Sequence, residues 1–190
     1  MKTLELIRKT FARQIEQHDC GIACLQSLIR YYGGENTQQK LREQSGTTIT
    51  GTTLLGLCQT AQNNGFDADG CEADINALIE HGEPVILHLL LEGNLQHYVV
   101  CYGIETKQNQ IRFVIGDPAK GIVYYTPEEL ERKWKSKVCL ILKPNAAFIK
   151  KETIAKQKSQ WIKNLIKDDI SILGLAAAIG IAIATGRCLI

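Results

Sequence analysis

Cys20 is the cysteine whose position best suits a chemical role. It opens a segment in which Ile22, Leu25 and Leu28 recur at helical spacing. Asp19, just before it, is a residue type that favours a helix N-cap. Unpaired N–H groups and the dipole at a helix N-terminus stabilise an anion, and the thiolate is the nucleophilic form of cysteine. The pattern predicts a reactive Cys20, with a buried packing cysteine as the alternative.

Four histidines could act as the base for such a thiolate. His97 follows a polar turn and opens a predicted strand, which would place its side chain at the rim of a sheet. His88 falls inside the apolar run PVILHLLL and is more typical of a core residue. His81 lies at a predicted helix end, and His18 lies in the segment before the first predicted helix. Position therefore favours His97.

Asp117 and Gln14 could complete a catalytic set. Asp117 ends a predicted strand, and a neighbouring strand would bring it to His97. There it could accept a hydrogen bond from one ring nitrogen and leave the other facing Cys20. Gln14 lies six residues before Cys20, and its amide could donate to an oxyanion. The ordinary alternatives are a turn aspartate and a surface glutamine.

His18, Cys20 and Cys24 also allow a metal or redox hypothesis. The two cysteines are four residues apart on a predicted helix, and the histidine is close in sequence. No second pair of ligands accompanies them, whereas structural zinc usually has four ligands. The chain also lacks a GxxxxGK[ST] phosphate loop, so we expect no ATP hydrolysis by these residues.

The elements that would position these residues change character along the chain. The first half is predicted to be helical, with one helix running from Cys20 to Gly33-Gly34 and others at Thr37–Gln44, Thr52–Asn64 and Asp74–Glu80. The second half predicts five strands and one helix that begins after Thr126. The strands are Pro84–Leu91, Tyr98–Ile104, Ile111–Ile115, Ile122–Tyr125 and Val138–Leu142. The fold class is therefore α+β, with a helical N-terminal half packed on an antiparallel sheet.

Composition fits a globular domain in a reducing compartment. Of the 190 residues, 45% are hydrophobic and 22% are charged. A net charge of +2 gives no reason to expect nucleic acid as a partner. The seven cysteines are scattered and odd in number, and the first residues lack the continuous apolar stretch of a secretory signal. We therefore expect free thiols in a cytosolic protein.

The C-terminal region differs from the rest. Residues 150–169 contain six lysines among apolar residues that include Trp161 and Leu165, a pattern typical of an amphipathic helix at a membrane surface. Residues 170–184 are almost wholly apolar but shorter than the roughly 20 residues of a bilayer span. We predict a catalytic domain at 1–149, a basic linker helix at 150–169 and the start of a truncated transmembrane helix at 170–190. A buried C-terminal helix is the alternative for the last segment.

Three motifs occur in a characteristic order: QIEQHDCGIACLQSLIRYYG at 14–33, HYVVCYGI at 97–104 and GDPAKG at 116–121. Together they resemble the peptidase domain of the ABC exporters that process bacteriocins and lanthipeptides, and the resemblance covers roughly residues 11–145. It implies a papain-like cysteine peptidase with Cys20 as nucleophile, His97 as general base and acid, Asp117 as orienting residue and Gln14 as oxyanion donor.

The resemblance also implies a substrate and partners. Such domains cut the leader from ribosomally made precursor peptides after Gly-Gly or Gly-Ala, at the cytoplasmic face of the bacterial plasma membrane. Their partners are the exporter's own transmembrane and nucleotide-binding domains, and ATP and Mg²⁺ belong to the latter, so the peptidase itself would need no cofactor. The full exporter would be a homodimer and an isolated peptidase a monomer. A leader-binding module that does not cleave is the alternative, and the intact Cys20 argues against it.

Overall fold

The computed structural model describes residues 4–91, 95–107, 110–165 and 167. The chain divides into two compact units, Met1–Lys150 and Lys151–Ile190. In the second unit residues 151–165 are helical and their side chains are exposed. The predicted start of a transmembrane helix at 170–190 lies outside the described residues. Among those described, no helix is long and apolar enough to cross a membrane.

The first unit contains six helices and six strands among its described residues. The helices are α1 (Leu4–Thr10), α2 (Cys20–Tyr31), α3 (Gln38–Ser45), α4 (Leu54–Asn63), α5 (Ile75–His81) and α6 (Pro127–Lys133). The strands are β1 (Phe66–Glu72), β2 (Val85–Leu90), β3 (Gln96–Lys107), β4 (Gln110–Asp117), β5 (Gly121–Tyr125) and β6 (Val138–Pro144). The predicted α+β class is confirmed.

The six strands form one antiparallel sheet in the order β1-β6-β2-β3-β4-β5. Side chains alternate between its two faces, as the pleat requires. On one face Ile86 and Val100 join the core formed with α2 and α4, whereas Val85 and Leu87 on the other face pack with Trp134. The run PVILHLLL was apolar because β2 is covered on both faces.

Two elements were missed by the sequence analysis. Strand β1 lies in the half predicted to be helical, and it forms the edge of the sheet beside β6. Its sequence FDADGCE buries Phe66 and Ala68 but exposes Asp67 and Asp69, so little apolar signal remained. Helix α1 has seven residues, too few for a helical period to show clearly. The equally short α5 and α6 were predicted because N-cap residues, Asp74 and Thr126, mark their starts.

Gly65 and Gly46 form a matched pair for a stability test. Their φ angles are positive, 83° and 64°. A Cβ on Gly65 would lie 2.5 Å from the backbone N and Cα of Phe148, whereas one on Gly46 would meet nothing within 4 Å among the described residues. We expect Gly46→Ala to lower the free energy of unfolding by about 1 kcal/mol through strain alone. Gly65→Ala should cost at least about 1 kcal/mol more, because backbone must move. Equal losses in urea unfolding would contradict this packing.

Candidate active site

Cys20 is the first residue of α2 and is 8% exposed. The helix N-terminus therefore lies at the thiol, as the sequence predicted. The prediction that the Asp19 side chain caps this helix is wrong. Its Oδ2 accepts instead from the backbone N–H of Glu16, at 3.1 Å, so the carboxylate is turned back into the preceding loop.

Strand pairing brings His97 and Asp117 together. His97 lies at the start of β3 and Asp117 ends β4, and these neighbouring strands run antiparallel. The start of one strand thus lies beside the end of the other. His97 Nε2 and Asp117 Oδ1 are 2.9 Å apart, and the two residues are only 7% and 2% exposed. This is the juxtaposition predicted from the two strand ends.

Asp117 is held as an anion. Burial alone would raise its pKa, but the hydrogen bond and positive charge of His97 outweigh burial. The backbone N–H of Ala119 also donates to Oδ1 at 3.0 Å, and Lys120 Nζ lies 3.9 Å from Oδ2. The net result is a lowered pKa. A fixed carboxylate at this distance from Nε2 is able to orient the imidazole.

His97 is held as a cation. Burial lowers the pKa of the imidazole, but hydrogen bonds to Asp117 and Cys20 and the negative charges of both groups raise it to about 9. Because Nε2 is bonded to Asp117, Nδ1 is the nitrogen left for Cys20. A cationic imidazole beside a cysteine is an arrangement that favours a nucleophilic thiol.

The other three histidines have different surroundings. His88 is half-buried in β2, where its ring packs 5.1 Å from Tyr98 and burial lowers its pKa. His81 ends α5 and is exposed. His18 Nε2 lies 2.8 Å from Glu16 Oε2 and 2.5 Å from an Arg42 nitrogen. Among the four histidines, all of which are described, His97 is the one with a hydrogen-bonded aspartate that could orient its ring toward Cys20.

Cys24 differs from Cys20 in its surroundings. It is fully buried one helical turn further along α2, and burial raises its pKa well above the ordinary value. It is therefore a protonated thiol. The described part of the chain contains no group of three or more His, Cys, Asp or Glu side chains that could share a metal ion.

Gln14 lies in the loop that leads to α2. Its Nε2 donates to the backbone carbonyl of Gln17 at 3.2 Å, and its backbone N–H donates to the carbonyl of Pro118, beside Asp117. Oε1 is buried and has no hydrogen-bond partner among the described residues. Because a carboxamide nitrogen carries two protons, one remains after the bond to Gln17. The predicted role as an oxyanion donor stays a prediction.

A pocket of about 350 Å³ opens at Cys20. Its lining combines the loop before α2 with the start of β3 and with residues 49–52, which the sequence analysis did not connect to the site. Ile49 and Leu95 are 89% and 53% exposed at its edge. A large apolar residue in the polar segment TTITGTT was the sequence signal for this wall.

Most of the chain is similar to known proteins. Residues 8–147 match the peptidase C39 family. The lactococcin-G-processing and transport ATP-binding protein LagD of Lactococcus lactis subsp. lactis is 34% identical over 175 residues, which are 90% of this chain and 24% of LagD. The transport/processing ATP-binding protein ComA of Streptococcus pneumoniae is 33% identical over 143 residues, 74% of this chain and 20% of ComA. The chain thus spans a quarter or less of these relatives.

Two solved structures are similar in fold as well as in sequence. The peptidase domain of Streptococcus ComA, a bi-functional ABC transporter involved in quorum sensing, is 33% identical with a TM-score of 0.63, covering 70% of this chain and 97% of that one. A double glycine motif protease from an AMS/PCAT transporter, solved with the leader peptide, is 32% identical with a TM-score of 0.62, covering 70% and 89%.

Proposed function

Since the chain belongs to the peptidase C39 family, whose members are cysteine peptidases, we propose that it removes the leader from ribosomally made precursor peptides. The cut follows a double-glycine-type motif, Gly-Gly or Gly-Ala. The observation that carries the proposal is the buried hydrogen bond between His97 and Asp117 beside Cys20, at the mouth of a pocket.

The proposed reaction has two steps, formation of a thioester on Cys20 and its hydrolysis by water. The Cys20 thiolate attacks the carbonyl carbon of the second glycine, while Gln14 Nε2 and a backbone N–H near Cys20 stabilise the oxyanion. His97 gives its Nδ1 proton to the leaving amine and a thioester forms. His97 then takes a proton from water, which hydrolyses the thioester and releases the leader. Asp117 keeps the imidazole oriented throughout.

Specificity for two small residues fits the surroundings of Cys20. Gly21 packs against α4 and β3 so closely that a Cβ there would lie 2.9 Å from Leu57 and 3.2 Å from Tyr98. Tyr98 is also part of the pocket wall. We propose that the passage by which substrate reaches the thiol is narrow, so that it admits glycine or alanine before the cut and excludes a larger side chain.

We place this peptidase within an exporter. LagD and ComA are bacterial ATP-binding transport proteins of which this chain matches 24% and 20%. The proposed partners are a transmembrane domain and a nucleotide-binding domain, with ATP and Mg²⁺ used only by the latter and the peptidase at the cytoplasmic face of the membrane. The exporter would be a homodimer and this chain alone a monomer, which analytical ultracentrifugation distinguishes.

The direct test is intact-mass analysis of a synthetic leader that ends in Gly-Gly and is followed by a short cargo. A single cut after the second glycine supports the proposal, and replacing that glycine with valine should abolish cleavage. The same valine placed two residues into the cargo is the matched control and should be cut. If the peptide binds but stays intact, the chain is a leader-binding module that recruits cargo without processing it.

A further inference from the structure

Asp19 is a buried carboxylate directly before the nucleophile, with no role in the chemistry described above. It is 2% exposed. A buried carboxylate needs hydrogen bonds or a cation to offset lost hydration. Oδ2 accepts the Glu16 N–H at 3.1 Å, and Oδ1 faces Arg42 Nε at 3.5 Å. Asp19 also donates its own backbone N–H to the Glu16 carbonyl, so it closes the loop that precedes α2.

Arg42 reaches this loop from α3 and contacts three of its side chains. Its Nη2 lies 2.8 Å from Glu16 Oε2 and 2.5 Å from His18 Nε2, and its Nε faces Asp19. The planar guanidinium can hold several acceptors in fixed directions at once, which a lysine cannot. Arg42 therefore fixes the loop against α3.

Helix α3 also holds the beginning of the same loop. Gln38 Nε2 donates to the backbone carbonyl of Arg13 at 2.7 Å and to Gln26 Oε1 of α2 at 3.1 Å. The helix is itself anchored by Leu41, which is fully buried. Residues 13–19 are thus tied to α3 at both ends, and Gln14, whose amide donates to Gln17, lies between the two anchors.

We propose that Asp19 and Arg42 are positioning residues that hold the 13–19 loop so that Gln14 presents its free N–H to the oxyanion. The inference rests on the proposed function, because this position matters only when Cys20 attacks a carbonyl. The position of the Gln14 amide would then depend on the Asp19–Arg42 ion pair, whose members are 23 residues apart in sequence. The pair contacts no substrate and acts through Gln14.

The test compares Asp19→Asn and Arg42→Gln with wild type, after counting intact active sites by stoichiometric alkylation of Cys20 with iodoacetamide. Both variants should lower kcat per active site by about 10²-fold, the scale of a misplaced catalytic group, and leave KM within about twofold. Cys20 in both variants should still be alkylated as in wild type, because neither substitution touches His97 or Asp117. Arg30→Gln is the matched control, since Arg30 faces Glu35 at 3.7 Å elsewhere, and it should keep its kcat.

A double-variant cycle separates positioning from stability. If Asp19 acts through Gln14, combining Gln14→Ala with Asp19→Asn should give the kcat of Gln14→Ala alone. A double variant whose losses multiply would overturn the inference, as would single variants with unchanged kcat per active site. These outcomes differ from a failure of the proposed function, in which wild type itself would leave the double-glycine peptide intact.

Discussion

Replacing Cys20 with alanine is expected to abolish cleavage of a double-glycine precursor and to leave its binding within about threefold. Alanine removes the sulfur that forms the thioester, and loss of a nucleophile costs roughly 10⁴-fold or more in kcat. The methyl group keeps the helix start intact, because Cys20 is already buried at the first position of α2. Intact-mass analysis measures cleavage, and isothermal titration with the same leader measures binding.

Cys58→Ala is the matched control for this variant. Cys58 is a partly exposed thiol on α4 whose Sγ contacts the Ala68 carbonyl at 3.2 Å. The Cys58→Ala variant should cleave the double-glycine precursor at the wild-type rate. Continued cleavage by Cys20→Ala would remove Cys20 from its proposed role, and Cys24 could not replace it as a thiolate, since burial keeps its pKa high.

The sequence was informative about elements that bury continuous apolar surface. Strand β2 was visible as an unbroken apolar run because both faces of the sheet are covered there. Edge strand β1 was invisible, since half of its side chains face water and their pattern resembles a loop. Helix α6 was predicted to begin after Thr126, and the capping box that Thr126 and Glu129 form there is local chemistry that a short sequence pattern can reveal.

In the site too, the features that depend on neighbouring residues were predictable and the contacts between residues far apart in sequence were not. Cys20, His97 and Asp117 could be predicted to lie near one another because each lies at the end of an element, where the chain direction alone predicts the place of a side chain. The contacts between Arg42 and the loop before Cys20 join residues more than twenty positions apart. No period or motif encodes such a pair, so only the packing of α3 reveals it.

Replacing His97 with alanine should cost more activity than replacing Asp117 with asparagine. His97→Ala removes the group that carries the proton in both half-reactions, a loss of roughly 10²–10⁴-fold. Asp117→Asn should cost only about 10-fold, because an amide oxygen can still accept from the imidazole, as the Cys-His-Asn arrangement of papain-like proteases illustrates. Values of kcat/KM for the double-glycine peptide measure both losses.

The pH dependence of kcat/KM distinguishes the effect of Asp117 on the charge of His97 from its effect on the orientation of the ring. In wild type the imidazolium persists until about pH 9, so kcat/KM should fall as pH rises through that value. Asp117→Asn deletes a negative charge that raises the pKa of His97. Its alkaline limb should therefore move to lower pH, whereas His81→Ala, at an exposed helix end, should leave the profile unchanged. An Asp117→Asn limb at or above pH 9 would mean that Asp117 does not raise the pKa of His97. A greater loss from Asp117→Asn than from His97→Ala would mean that the two proposed roles are assigned wrongly.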